Sequence, residues 1–264
     1  MNFSGTKYQL EHEIRMHKDP SIIVNVNLRE AKLKKKVREH LQSLGFTRSD
    51  SGALQAPGNT KDVIRALHSA QRSERIFANQ KFITLKAAKL MKFFASGNEV
   101  IPDQISPVLE RVKSGSWQGD LFRLAALTWS VPVSSGFGRR LRYLVWDESN
   151  GKLIGLIAIG DPVFNLAVRD NLIGWDTHDR SSRLVNVMDA YVLGALPPYN
   201  ALLGGKLIAC LLRSRDLYDD FAKVYGDTVG VISQKKKQAR LLAITTTSSM
   251  GRSSVYNRLK LDGI

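Results

Sequence analysis

The chain has 264 residues, 43% of them apolar, and a formal net charge of +15, enough for one large domain or two modest ones around a real core. No apolar run is long enough to span a bilayer. The first residues, MNFSGTKYQLEHEIRMHKD, mix both charge signs without the apolar core of a signal peptide, and the single cysteine, Cys210, excludes an internal disulfide. These features place the protein in the cytoplasm, with no membrane partner. The positive charge points to a polyanionic partner, nucleic acid first, although charge alone also serves solubility and does not separate DNA from RNA or anionic lipid.

The first hundred residues read as mostly helical. Residues 27–45 open on the capping residue Asn27, with Glu30 three positions later, and close on Gly45. Leu33, Val37, Leu41 and Leu44 form one apolar stripe, and Lys32, Lys34, Lys35, Lys36 and Arg38 make the other face basic. That face is either solvated or in contact with phosphates. After a turn-rich link over 48–59, Thr60 is expected to cap a second helix running to Arg75, with Val63, Leu67 and Ala70 inward. Its residues Lys61, Arg65, His68, Arg72 and Arg75 recur as a second basic stripe suited to phosphate contacts. A third helix is expected over 82–94, a short one over 105–113 and another over 120–127. Gly, Pro and Ser cluster over 98–120, which sets the expected division into a helical basic module, 1–115, and an α/β core, 116–264.

The second half changes character. Residues 140–147 read as a strand, Asn150-Gly151 as the centre of a hairpin turn, and 153–160 as a partner strand too apolar to have one face in water. Residues 165–176 place Arg169, Asp170, Trp175 and Asp176 in a short span, the mixture of a site or of loop salt bridges. A buried strand from Val187 to Leu193 then leads through Pro197-Pro198 to the pair Gly204-Gly205 and a helix from Lys206 to Tyr225. Strand, glycine turn and helix start is an arrangement that presents backbone N–H groups to an anion. Residues 233–238 read as an exposed basic turn, 241–247 as a strand, and the Ser/Gly-rich stretch from Ser248 as a turn feeding a short helix.

The order hairpin, connector, strand, glycine turn, helix, strand, short helix resembles the core of the Gcn5-related N-acetyltransferases (GNAT). That likeness implies a phosphate or cofactor site at Asn200, Gly204, Gly205 and Lys206, where the family holds the coenzyme A pyrophosphate, and places Tyr256 where a Tyr approaches the thioester sulfur. The family's turn usually begins with Gln or Arg, and Leu207 stands here where a small residue is usual, so the cofactor is left unassigned. At finer grain the chain resembles the DruA-like family, found with Druantia anti-phage defence systems and with transposase genes. The motifs are Trp129–Val133, Gly138-Arg139-Arg140, Ile154–Phe164, Arg169-Asp170, Ile173–Asp176, Met188–Gly194, Pro197–Asn200, Leu203–Lys206 and Gly251–Arg258. This resemblance implies a DNA-linked role in defence or mobile elements and, as partners, DNA and other defence or transposition proteins.

The overall expectation is an α+β chain, a helical N-terminal module followed by a GNAT-like mixed α/β core. Three chemistries fit it. In DNA binding, Lys34, Lys35, Lys36, Arg65 and Arg72 grip phosphates, extended by Arg139, Arg140, Arg169, Arg252 and Arg258. In group transfer to DNA bases, Asp189 is the base and Tyr256 the acid, with Asp170 and Asp176 beside them and Gly251 and Ser253 in a phosphate-contacting turn. In a magnesium-dependent nuclease, Asp161, Asp170, Asp176 and Asp189 would have to converge. No His or Cys spacing supports a zinc site.

Overall fold

The computed structural model describes residues 20–133, 136–202, 204–229, 234, 236–251 and 253–260. The chain divides into two compact units, Met1–Asn59 and Thr60–Ile264. In the first, helix α1 (Pro20–Ser43) is followed by Gly45 in the left-handed region, φ +83°, and by a small antiparallel ladder of β1 (Thr47–Arg48) with β2 (Leu54–Gln55). The helix starts seven residues before Asn27, which therefore lies inside it and does not cap it. Leu33 and Val37 of the apolar stripe are exposed.

The second unit begins with α2 (Lys61–Leu67). Thr60 caps it as expected, its side chain accepting from the Val63 N–H. The helix expected to run on to Arg75 breaks at His68, and α3 (Ser69–Ala78) and α4 (Gln80–Leu90) follow as separate segments. Residues expected to form a short helix over 105–113 are instead strand β3 (Pro107–Arg111), paired antiparallel with β4 (Arg140–Asp147) in the register Pro107↔Asp147 to Arg111↔Tyr143. Pro107 sits at the first position of an edge strand, where a missing N–H costs no ladder bond. Between the two strands lies α5 (Trp117–Ala126), capped by Ser116.

β4 and β5 (Lys152–Gly160) form the expected hairpin, with Gly151 at φ +68° in its turn. After α6 (Ala167–Ile173) and α7 (Thr177–Arg183), β6 (Val187–Ala195) adds antiparallel to β5. The helix expected over 206–225 is two: α8 (Gly204–Cys210) and α9 (Arg215–Tyr225), the second capped by Ser214. β7 (Asp227–Val229) pairs with β8 (Lys236–Gln238), so part of the expected basic turn is a ladder strand. β9 (Ala243–Thr245) then joins β6 in parallel, and α10 (Ser254–Asn257) follows. The main sheet has the order β3-β4-β5-β6-β9.

β5 is buried on both faces, as its apolar run requires. One face packs Ile157 and Ile159 with Tyr143, Met188, Ile208 and Phe221, under α8 and α9. The other packs Leu153, Leu156 and Ala158 with Leu121, Phe122 and Ala125 of α5. Each of the large side chains buried this way contributes about 1.5–3 kcal/mol. The described residues thus show an α+β chain whose helical N-terminal part precedes a mixed sheet covered on both faces.

Candidate functional site: a cleft where two parallel strands part

β6 and β9 pair only over Val187↔Ala243 to Asp189↔Thr245. Beyond that point β6 continues to Ala195 while the other chain turns away, and Thr246 Oγ1 donates to the Ala190 carbonyl at 3.0 Å as the last tie. The space between them is a cavity of about 600 Å³, within the range of small-molecule sites. Its walls are the C-terminal half of β6, the run Thr246–Met250 and the segment Thr128–Val133.

Four of the residues singled out from the sequence, Asp189, Asn200, Ser253 and Tyr256, line this cleft. Asp189 accepts from Thr245 Oγ1 at 2.9 Å. Burial pushes its carboxyl above the usual carboxylate range, against that hydrogen bond and the positive charge of Arg169. Burial also raises the Tyr256 phenol, against a hydrogen bond with Thr246. A carboxyl and a phenol, both raised by burial, therefore line one cavity.

The remaining candidates lie elsewhere. Asp170 is buried on α6 between two guanidinium groups: Arg169 Nη2 at 2.7 Å and Arg180 Nη1 at 3.1 Å. Burial alone would raise its carboxyl, but hydrogen bonds from Arg169, the Leu166 N–H and Arg180 outweigh that and hold it low. Arg169 also donates to the Val163 and Phe164 carbonyls, so it ties down the chain that follows β5. Asp176 caps α7 in a reciprocal box with Asp179, and the Asp179 N–H holds its carboxyl below the usual range. Asp161 is bound by Arg139 at 2.7 Å, and Arg139 donates further to the Val185 carbonyl. These carboxylates do not converge with Asp189 among the described residues. Asp176, His178 and Asp179 lie close enough to share a cation, but they form an exposed helix cap.

Gly204 is buried, and a Cβ there would meet Ala195 Cβ at 2.5 Å and the Tyr199 carbonyl oxygen at 2.6 Å. Its missing side chain serves close packing of α8 on the sheet. Gly205 faces Val255, Lys206 is exposed, and Leu207 packs against the core. Gly251, at φ +77°, is exposed. Arg252 lies outside the described residues. Arg258 is exposed just past α10.

Of the basic residues in the first half, Lys34 pairs with Glu30 at 2.6 Å, Lys35 with Glu39 at 3.8 Å and Arg65 with Asp62 at 2.7 Å, all on exposed helix surface. Lys36 is exposed and Arg72 half-buried. Arg140 stacks over the Tyr191 ring, 4.4 Å from its centroid. It belongs to a second cavity, of about 720 Å³, on the other side of Tyr191. Arg111, Lys113, Arg123 and Arg142, which line that cavity with it, carry no signal in the sequence beyond being basic, because strand pairing and the packing of α5 bring them together. The cleft walls Trp129–Val133 and Thr246–Ser249 were visible only as a motif and a polar run.

Fold and site together define an α+β protein with one five-stranded mixed sheet and a polar cleft between its two parallel strands. Residues 58–263 match the family model described as Druantia protein DruA. The chain belongs to that family. It is 96% identical over 249 residues to the Druantia protein DruA of Escherichia coli (strain UMEA 4076-1), an alignment covering 94% of this chain and 62% of the relative. The chain thus spans about three fifths of the length of the curated relative it matches. No solved structure matches it.

Proposed function

We propose that the chain acts on DNA in anti-phage defence, through a GNAT-like core whose reactive site is the cleft between β6 and β9. The observation that carries this reading is the convergence of Asp189, Asn200, Ser253 and Tyr256 on one cavity at the point where the parallel strands part. The order of elements supports the GNAT-like part: an antiparallel hairpin, a third strand, a helix and a parallel strand. Family membership supports the defence role, with other proteins of the same system as further partners. The net charge of +15 supports the nucleic-acid partner.

In this reading the basic surfaces hold phosphates and the cleft receives a group carried by the DNA. Asp189 is the proton acceptor, since a carboxyl raised toward neutrality is better matched to proton transfer than an ordinary one. Tyr256, which lines the same cavity, is the donor.

The test is binding of labelled DNA by the full chain over a range of salt, beside Asp189→Asn and Tyr256→Phe. Binding that weakens steeply with salt in all three proteins is expected, since neither variant removes a cation. No DNA binding even at low salt would sink the proposal. A second reading, group transfer to a base, is favoured by the shared cavity of Asp189 and Tyr256. It predicts a mass change in a DNA oligonucleotide with one of a panel of acyl donors, lost in both variants, and no change with any donor counts against it.

A further inference from the structure

The second cavity lies between α3, α5 and the β3–β4 edge of the sheet. Its lining carries six cations, Arg75, Arg111, Lys113, Arg123, Arg140 and Arg142, and one carboxylate, Asp120. Asp120 already pairs with Lys86 at 3.2 Å. Only Arg111 spends its charge on an acid in an assigned ion pair, Asp220 at 3.3 Å. Arg75, Arg123 and Arg142 are held by neutral groups. Arg75 donates to the Val133 carbonyl, and Arg123 to Asn79 Oδ1 at 2.8 Å. Arg142 lies over the Phe122 ring and Arg140 over Tyr191. Neutral acceptors and ring faces orient a guanidinium without cancelling its charge, so the cavity keeps a strong excess of positive charge.

Cations fixed around a half-open groove with an aromatic wall are the elements of a single-strand nucleic-acid channel. A single strand can enter a cavity of about 720 Å³, whereas a duplex would meet only its rim. Tyr191 and Val133 line this cavity and also the cleft that holds Asp189 and Tyr256. The two spaces therefore adjoin.

We propose that this cavity seats the phosphodiester backbone of a single DNA strand and passes a nucleotide across Tyr191 into the cleft. The inference rests on the reading of the chain as acting on DNA, and it adds which strand form is held and by which residues. Arg123 and Arg142 position phosphates, Lys113 stands on the open side, and Tyr191 offers its ring to a base.

Fluorescence anisotropy of the full chain tests it, with a labelled oligodeoxythymidylate of about 12 nucleotides, within the site sizes of such channels, a duplex of equal length, and dTTP as competitor. The variants are Lys113→Glu alone and Lys113→Gln with Arg142→Gln. Lys113 is exposed, so its change leaves the fold intact, and thermal unfolding checks both proteins. The wild type is expected to bind the strand more tightly than the duplex. The double variant is expected to weaken strand binding about tenfold and to lower the slope of log affinity against log salt by about 0.7 for each cation removed. Unchanged strand affinity in the folded variants, or a duplex bound as tightly as the strand, overturns the proposal while leaving DNA binding standing. Sensitivity confined to dTTP, with the oligonucleotide unaffected, makes the ligand a free nucleotide and also overturns it. A wild type that binds neither DNA form removes the functional reading as well.

Discussion

Asp147 and Asp189 are both carboxylates of the central sheet, and their surroundings drive them in opposite directions. Asp147 is fully buried and accepts from the Ser106 N–H, from Ser149 and from Tyr199 Oη at 2.8 Å. Burial works against its ionisation, but those donors outweigh it and lower the carboxyl. Asp189 has one donor shown, Thr245, and burial prevails. The first is built for stability; the second is a carboxyl whose ionisation burial opposes. A folded value above the unfolded one is most favourable at low pH and loses ground as pH rises through it. Asp189→Asn should therefore stabilise the protein, with urea midpoints that differ from wild type more at pH 7 than at pH 4. For Tyr199 the phenol is pushed up to about 12. Its contribution is complete below about pH 10, the unfolded value, and is lost as pH rises toward 12. Tyr199→Phe should cost about 1–3 kcal/mol by stripping a donor from buried Asp147, and urea titrations should show a shallower alkaline loss. From sequence, Asp189 was recognisable as a strand carboxylate, whereas Asp170 and Arg169 looked equally site-like. Their separation comes from partners: Arg180 reaches Asp170 from ten residues away, and no local pattern reports that.

Elements that carry their own signal were legible, and those defined by a distant partner were not. The β4–β5 hairpin was readable because alternation, the Asn150-Gly151 turn and a fully apolar second strand lie within about twenty residues, close to typical hairpin dimensions. Pro107–Arg111 was misread as helix because five residues are too few to fix a period; their partners begin at Tyr143, across α5. The long helix expected after the glycine pair is divided because Ser214 offers its hydroxyl to the Leu217 N–H and restarts it. Ser214→Ala should therefore cost about 1 kcal/mol in chemical denaturation, the usual loss for a helix cap. Gly204→Ala should cost about 1–3 kcal/mol, as overpacking does, because the added methyl meets Ala195 and Tyr199 within 2.6 Å. If Gly204→Ala proved neutral in the same assay, its role would not be packing.

Across the molecule, the positive charge was plain in the composition but its distribution was not. Arg139 and Arg169, which look like phosphate ligands in sequence, are bound to Asp161 and Asp170 and hold chain segments together. The cations that share a cavity come from helices and strands up to 67 positions apart, Arg75 to Arg142. The division at Asn59/Thr60 falls in the turn-rich stretch after β2. Limited proteolysis should cut within residues 49–60 first and leave the rest as a lasting fragment; early cuts inside 140–195 would contradict the compactness of the sheet. Tyr191, standing between two cavities, has one further consequence. A single ring cannot be ordered differently for each neighbour, so a ligand that fixes it on one side alters what the other side meets. Were ligands in the two proposed sites to hold that ring differently, their affinities would be coupled, by linkage with the same factor in both directions.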